Sequence, residues 1–414
     1  MPRHTVRLGG LLRRLALPVV ALTATAQLST ASATATPATP PATHEIVTWG
    51  ASADRVGEAA SNRGYRLVVR TSAGGTHLRV RLSNAFGDRP LTIGRAYVGV
   101  QKEGAALVRG SNRPLTFGGE QPVTVPAGET VLSDPLPGRL PAVTVLVVSL
   151  YAADAGGPVT GHGMAMQTSY TAVGDHVAEE GPANWTGTIG SWFYLDAVTV
   201  RTGPDVGSVV ALGDSITDGW QSTTDHDRRW PDYLARRLRA DDATDIEGVA
   251  NEGISGNKVL ADGAGQSALN RLHRDVLSHP GVRTVLLFEG VNDIKAHTGV
   301  TAEDLIDGYR RIIDRAHMAG VCVVGATVGP FKGWSEWDAQ AETVRREVNE
   351  FIRAGGEFDA VADFDRILRS PYDHERILPF FDNGDHLHPN DTGMQAMADA
   401  VRTRDLSCDR GDAS

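Results

Sequence analysis

Lysine is scarce in this 414-residue chain: Lys102, Lys258, Lys295 and Lys332 are four of its 40 basic residues, and the rest are arginine. The arginines form no basic block, and 50 acidic residues leave a formal net charge of −10. That balance argues against a nucleic acid or an anionic membrane surface as partner. Cysteine is nearly absent, with only Cys322 and Cys408. Two cysteines cannot staple a small disulfide scaffold, and no zinc-type ligand spacing occurs. Export would allow one bridge. However, Cys322 lies in the apolar run Val321-Cys322-Val323-Val324, where it serves as a small buried side chain, and two free thiols are favoured. Neither cysteine has a His partner in a motif, so neither is a candidate nucleophile. No segment approaches the ~20 consecutive apolar residues of a membrane-spanning helix.

What is present begins with a leader. Arg3, Arg7, Arg13 and Arg14 precede the apolar run Leu15 to Ala24, and the small-residue patterns Ala24-Thr25-Ala26 and Ala31-Ser32-Ala33 follow. This is the layout of a secretory signal, so residues 1–33 are expected to be a signal peptide, 34–43 a Thr/Ala/Pro linker, and the protein secreted. With 41% hydrophobic and 22% charged residues the remainder suits a globular protein, and its length predicts two domains, 44–203 and 204–408, before a tail at 409–414.

Residues 44–203 show no long period of 3.6. Tyr65–Arg70, His77–Leu82, Val143–Val148 and Trp192–Val198 are strand-like, with Gly- and Pro-rich turns between such runs. Many short strands with frequent turns predict an all-β sandwich, jelly-roll-like. After Gly203-Pro204-Asp205 the pattern changes. Strands are expected at 209–212, 245–250, 284–288, 321–326 and 360–364, alternating with helices at 231–239, 269–277, 302–319, 339–354 and 392–404. Such alternation gives a parallel sheet covered on both faces.

The most informative stretch is Gly213-Asp214-Ser215-Ile216-Thr217-Asp218-Gly219, which follows the first of these strands. Far downstream comes Asp385-His386-Leu387-His388-Pro389. Loops leaving the carboxyl ends of parallel strands share one rim, so distant residues can meet there. A serine hydroxyl needs a base to take its proton. Imidazole is that base at neutral pH, and a carboxylate on its other nitrogen fixes the tautomer. Ser215, His388 and Asp385 are therefore the candidate nucleophile, base and orienting acid. Asp214 adjoins the serine but is expected to point elsewhere, and Asp293 to structure its loop. Asp225-His226-Asp227 is expected to be a solvated loop rather than a metal site, because three consecutive side chains rarely converge on one ion.

Ser215 in Gly-Asp-Ser, Gly253 in Asn251-Glu252-Gly253-Ile254-Ser255-Gly256, Asn292 in Gly290-Val291-Asn292-Asp293, and His388 with Asp385 resemble, in order, the blocks of the SGNH (GDSL-type) hydrolase superfamily. The resemblance spans roughly residues 205–405. It implies a flavodoxin-like three-layer α/β/α domain and a serine ester hydrolase that forms an acyl-enzyme. It also implies an oxyanion hole made by the backbone N–H groups of Ser215 and Gly253 and the side-chain amide of Asn292. No cofactor or metal is needed. A small-molecule or polysaccharide ester is the expected substrate, with a carbohydrate acetylesterase or arylesterase the leading reading. A lipase, phospholipase or general carboxylesterase is the alternative, and a non-catalytic glycan-binding protein the alternative of another class. Trp220, Phe331, Trp334, Trp337, Phe380 and Phe381 are candidates for lining the substrate pocket.

Overall fold

In the strand Gly75–Ser83, Leu78, Val80 and Leu82 are buried while Arg79 and Arg81 between them are partly exposed. This period-two alternation places one face of an antiparallel sheet on a core. The computed structural model describes residues 43–154, 156–241 and 244–407. The expected signal peptide, the linker apart from Thr43, Cys408 and the tail lie outside the described residues. In the N-terminal half, one sheet runs His44–Gly50, Leu195–Thr202, Gly75–Ser83, Leu136–Leu140, with Thr130–Leu132 beside Gly75–Ser83. A second is built around Ser169–Val173, Arg63–Arg70, Val145–Asp154 and Leu91–Glu103. Ile46, Val80 and Val200 of the first sheet share a core with Leu67, Ile93 and Val148 of the second, which makes the expected sandwich. The expected continuous strand Trp192–Val198 is broken. Tyr194 takes φ +63°, so Trp192–Phe193 joins a small third sheet with Pro158–His162 and Asp54–Glu58, while Leu195–Thr202 stays in the first.

The C-terminal half holds a five-stranded parallel sheet in the order Ile246–Gly253, Gly207–Gly213, Val282–Phe288, Cys322–Ala326, Ala360–Ala362. Alternate residues of each strand feed opposite faces. Val210, Leu212, Val285 and Leu287 pack with Leu305, Ile312, Val344 and Val348 of the helices Ala302–Met318 and Ala339–Ala354. Val209, Ala211, Leu286 and Phe288 pack with Trp230, Leu234, Met394 and Met397 of Trp230–Ala240 and Asp391–Ala400. This is the three-layer α/β/α fold, and with the first strand lying between the second and third, the order reverses beside it. In open α/β sheets the ligand crevice lies at that reversal, beyond the strands' carboxyl ends.

Helix starts follow local capping: Asp338 accepts the N–H of Ala341, and Thr301 with Asp304 forms a capping box. The final helix stops at Ala400, because Val401 is extended and Thr403–Leu406 forms a separate 3-10 turn; the sequence had suggested one helix to residue 404. The fifth strand ends at Ala362, since Asp363 caps the short helix Phe364–Leu368. Cys322 is disulfide-bonded, which corrects the free thiol expected there. Among the described residues no helix is long and apolar enough to cross a membrane.

The two halves interlock. Ala51 forms a parallel bridge with Asn251, Ser208 Oγ donates to the carbonyl of Val47 (2.7 Å), and Val47 and Ala197 belong to the core of the α/β half. The described residues of both halves belong to one compact unit.

Candidate active site

The fully buried strand Gly207–Gly213 delivers the chain to Asp214, whose Oδ1 accepts the N–H of Ile216 (2.9 Å) and caps the single-turn helix Ser215–Asp218. Gly219 closes that turn in the left-handed region (φ +99°), its N–H donating to Ser215 O. Ser215 thus opens a turn fixed at both ends, and as the first helical residue its N–H has no intrahelical acceptor. Its Oγ lies 2.8 Å from His388 Nε2. His388 Nδ1 lies 2.7 Å from Asp385 Oδ2, and Asp385 Oδ1 accepts the backbone N–H groups of Leu387 (2.9 Å) and His388 (2.8 Å). The three candidate residues, from two distant loops, therefore form one continuous hydrogen-bonded line.

Burial lowers the His388 imidazole below its ordinary value, outweighing the upward pull of Asp385. The ring is neutral at pH 7 and can accept a proton. Burial alone would raise the Asp385 carboxyl, but the hydrogen bonds from the backbone N–H and ring of His388 hold it below the usual range, so it is ionised. Asp214 points away from this line, as expected. Burial pushes its carboxyl up to about 7 despite the N–H of Ile216, and its Oδ2 lies 3.4 Å from Asn292 Nδ2. Asp293 organises its loop by accepting the N–H groups of Val259 (2.8 Å) and Leu260 (3.1 Å).

Asn292 sits buried on the short helix Val291–Lys295, its Nδ2 donating to the carbonyl of Asn257 (2.9 Å). Gly253 does not have the place the resemblance implied. Its N–H is engaged by Asn251 Oδ1 (3.0 Å), and a Cβ there would come within 2.2 Å of Asp218 N. Gly253 is the point where the second strand presses against the serine's turn. Three residues on, Gly256 takes φ +82°, and its N–H donates to no protein group among the described residues. Asn257 follows it directly and holds Asn292, so this N–H belongs to the same rim.

Residues 211–396 match the GDSL-like Lipase/Acylhydrolase family model. This segment is a GDSL-like lipase/acylhydrolase domain. The family places it among enzymes that hydrolyse ester bonds. Among solved structures, the chain is similar to an aryl esterase from M. smegmatis (19% identity over 49% of this chain and 100% of that one, TM-score 0.40). It is also similar to a carbohydrate acetylesterase from Sinorhizobium meliloti (19%, 47% and 95%, 0.39) and to a member of the lipolytic protein G-D-S-L family from Veillonella parvula (23%, 47% and 96%, 0.36). No curated protein matches the chain.

Two of the expected aromatic residues flank His388. The rings of Trp220 and Trp334 lie 6.0 and 5.9 Å from that of His388, and Trp220 is 41% exposed. Phe331 is wholly buried and Trp337 packs on the same core, so both are structural; Phe381 packs on the opposite core and Phe380 is exposed. Asp225 accepts from Gln167 and Thr168, Asp227 pairs with Arg70, and His226 meets its own loop at Thr224 O, so Asp225 and Asp227 are tied to the β half rather than merely solvated. Among the described residues no group of three His, Cys, Asp or Glu side chains is arranged to hold a metal ion.

Sequence reasoning missed Arg271, which is fully buried. Its guanidinium donates to the carbonyls of Gly213 (2.9 Å) and Glu252 (2.6 Å) and to Asn257 Oδ1 (2.9 Å), and pairs with Asp275. It ties together the strand ends that carry the hydrolase's loops. An arginine on an otherwise ordinary short helix gives no motif by which to find it.

Proposed function

We propose that the protein is a secreted serine ester hydrolase in which Ser215, His388 and Asp385 act as a triad. The observation that carries the reading is the continuous contact from Ser215 Oγ through both ring nitrogens of His388 to Asp385, at 2.8 and 2.7 Å. His388 takes the Ser215 proton as Oγ attacks the ester carbonyl, and Asp385 stabilises the imidazolium that forms. The backbone N–H of Ser215, that of Gly256 in place of Gly253, and Asn292 Nδ2 receive the developing oxyanion. The second Asn292 N–H makes only the long 3.4 Å contact with Asp214, so it is the one available to the oxyanion. The imidazolium returns its proton to the leaving alcohol. Water, activated by His388 in the same way, then releases the acid and regenerates the serine.

An acetylated carbohydrate or an aryl ester is the substrate class we favour, because the exposed Trp220 indole beside His388 offers a flat apolar face to a sugar or aryl ring. A lipase or general carboxylesterase is the second reading. The test is hydrolysis of p-nitrophenyl esters of increasing acyl length by the protein and by Ser215→Ala. Loss of acetate hydrolysis in the variant, with activity in the parent falling steeply with chain length, supports the acetylesterase. Rates that rise with chain length favour the lipase. Equal rates in the two proteins remove the serine mechanism and bring forward glycan binding without catalysis.

A further inference from the structure

One residue of the β half reaches the turn that carries Ser215. His162, the last residue of the strand Pro158–His162, is buried, and acceptor oxygens meet both of its ring nitrogens. Nδ1 lies 3.1 Å from Ser52 O; Nε2 lies 3.0 Å from Met164 O and 2.9 Å from Asp218 Oδ1. Carbonyl and carboxylate oxygens only accept, so each ring nitrogen must carry a hydrogen. A ring with two N–H groups is an imidazolium. Asp218, three residues after Ser215 on the same turn, is buried too, and its Oδ2 accepts both the N–H (2.9 Å) and the hydroxyl (2.7 Å) of Ser255. Asp218 therefore joins three pieces: the serine's turn, the loop leading into Gly256, and the β half.

We propose that His162 is a positioning residue of the hydrolase, a buried imidazolium that acts through Asp218 to hold the Ser215 turn against the Ser255–Gly256 loop. The proposal rests on the reading of Ser215 as nucleophile. It gives the β half a direct part in catalysis, because the spacing between nucleophile and oxyanion donors is set from outside the α/β sheet. The charged surroundings agree. Asp218 is the carboxylate in contact. Asp54 faces Gly161 on the neighbouring strand, and Arg229 stands one layer out, 5.8 Å from the Trp192 ring on which His162 packs. Burial works against the charged ring, but Asp218 and the two carbonyls outweigh it and raise His162 above its ordinary value. The charge is thus held below the raised value and lost as pH rises through it.

The test is the pH profile of kcat for p-nitrophenyl acetate in the protein and in His162→Gln, with thermal unfolding of both. Glutamine can donate to Asp218 but carries no charge and does not titrate. The expected result is a kcat lower by roughly 10–100-fold with KM little changed, and loss in the variant of the descending alkaline limb seen in the parent. An unchanged kcat, or an alkaline limb that persists in the variant, overturns the proposal. If the variant does not fold, the histidine side-chain 15N spectrum of the unsubstituted protein, followed upward in pH past the ordinary histidine value of ~6.5, decides. One imidazolium protected from solvent supports the proposal, and its absence overturns it. That spectrum is independent of Ser215, whose own role is tested by Ser215→Ala.

Discussion

Asp385 and His388 are joined twice: one carboxylate oxygen accepts the backbone N–H of His388 at 2.8 Å, and the other meets ring Nδ1 at 2.7 Å. The backbone contact fixes the carboxylate, and the carboxylate in turn fixes the ring. Asp385→Asn should keep the loop folded while placing the imidazole proton wrongly. We expect kcat to fall by roughly 10²–10⁴-fold with a small change in KM. Steady-state kinetics with p-nitrophenyl acetate measures this, and a variant of parental kcat would remove Asp385 from the mechanism.

The pH dependence follows from the same pair. In the proposed mechanism the neutral form of His388 is the active one, and burial holds its value below the ordinary ~6.5 in spite of Asp385. Activity should therefore persist on acidification past that point and be lost as pH falls through the depressed value. A profile of kcat/KM against pH reports the free enzyme. A midpoint at or above ~6.5 for its acid limb would contradict the burial argument.

Gly253 and Gly256 should fail differently when replaced by alanine. At Gly253 a methyl group would lie 2.2 Å from Asp218 N, backbone that cannot swing aside, so the serine's turn must shift. Gly253→Ala should lose about 1–3 kcal/mol of stability from overpacking and most of its activity. Gly256 faces no backbone obstruction, and its cost is the strain of a side chain at φ +82°. Gly256→Ala should lose less stability, while kcat falls if its N–H serves the oxyanion. Denaturant unfolding paired with kinetics separates the two. Equal stability losses would show that packing against Asp218 is not the distinguishing contact.

Arg271 is the structural tie beneath the site. Arg271→Ala removes five hydrogen-bond partners and leaves Asp275 buried beside Arg274 alone. Breaking a buried pair in this way costs about 3–5 kcal/mol. Thermal unfolding should show a large fall in Tm, and a loss below ~1 kcal/mol would mean that the network is replaceable.

What the sequence made legible was local. Ser215, Asp385 and His388 lie in short motifs that can be read locally, and the apolar runs of the parallel strands mark the rim to which both distant loops return. Gly253 was assigned by its place in a motif. Which glycine offers a free N–H depends on backbone angle and on neighbours such as Asn251 and Asp218, which one chain read in order does not display. Tyr194 breaks its strand through a positive φ that no propensity for tyrosine suggests. His162 was illegible for a plainer reason: its partner Asp218 is 56 residues away in a different fold layer, and a lone histidine at a strand end has no spacing to read.

The seam between the halves also dictates an order of events during folding. Val47 receives the hydroxyl of Ser208 only after 161 further residues have been made, and Ala51 must wait for Asn251. Closing such long loops comes before any reward from the contacts, which slows folding. Refolding should accordingly be slow, and esterase activity should return in the same phase that buries Trp49 and Trp192 between the strands of the sandwich. The Ser215 turn would be among the last parts to set, because the histidine proposed to brace it belongs to the half that has to dock.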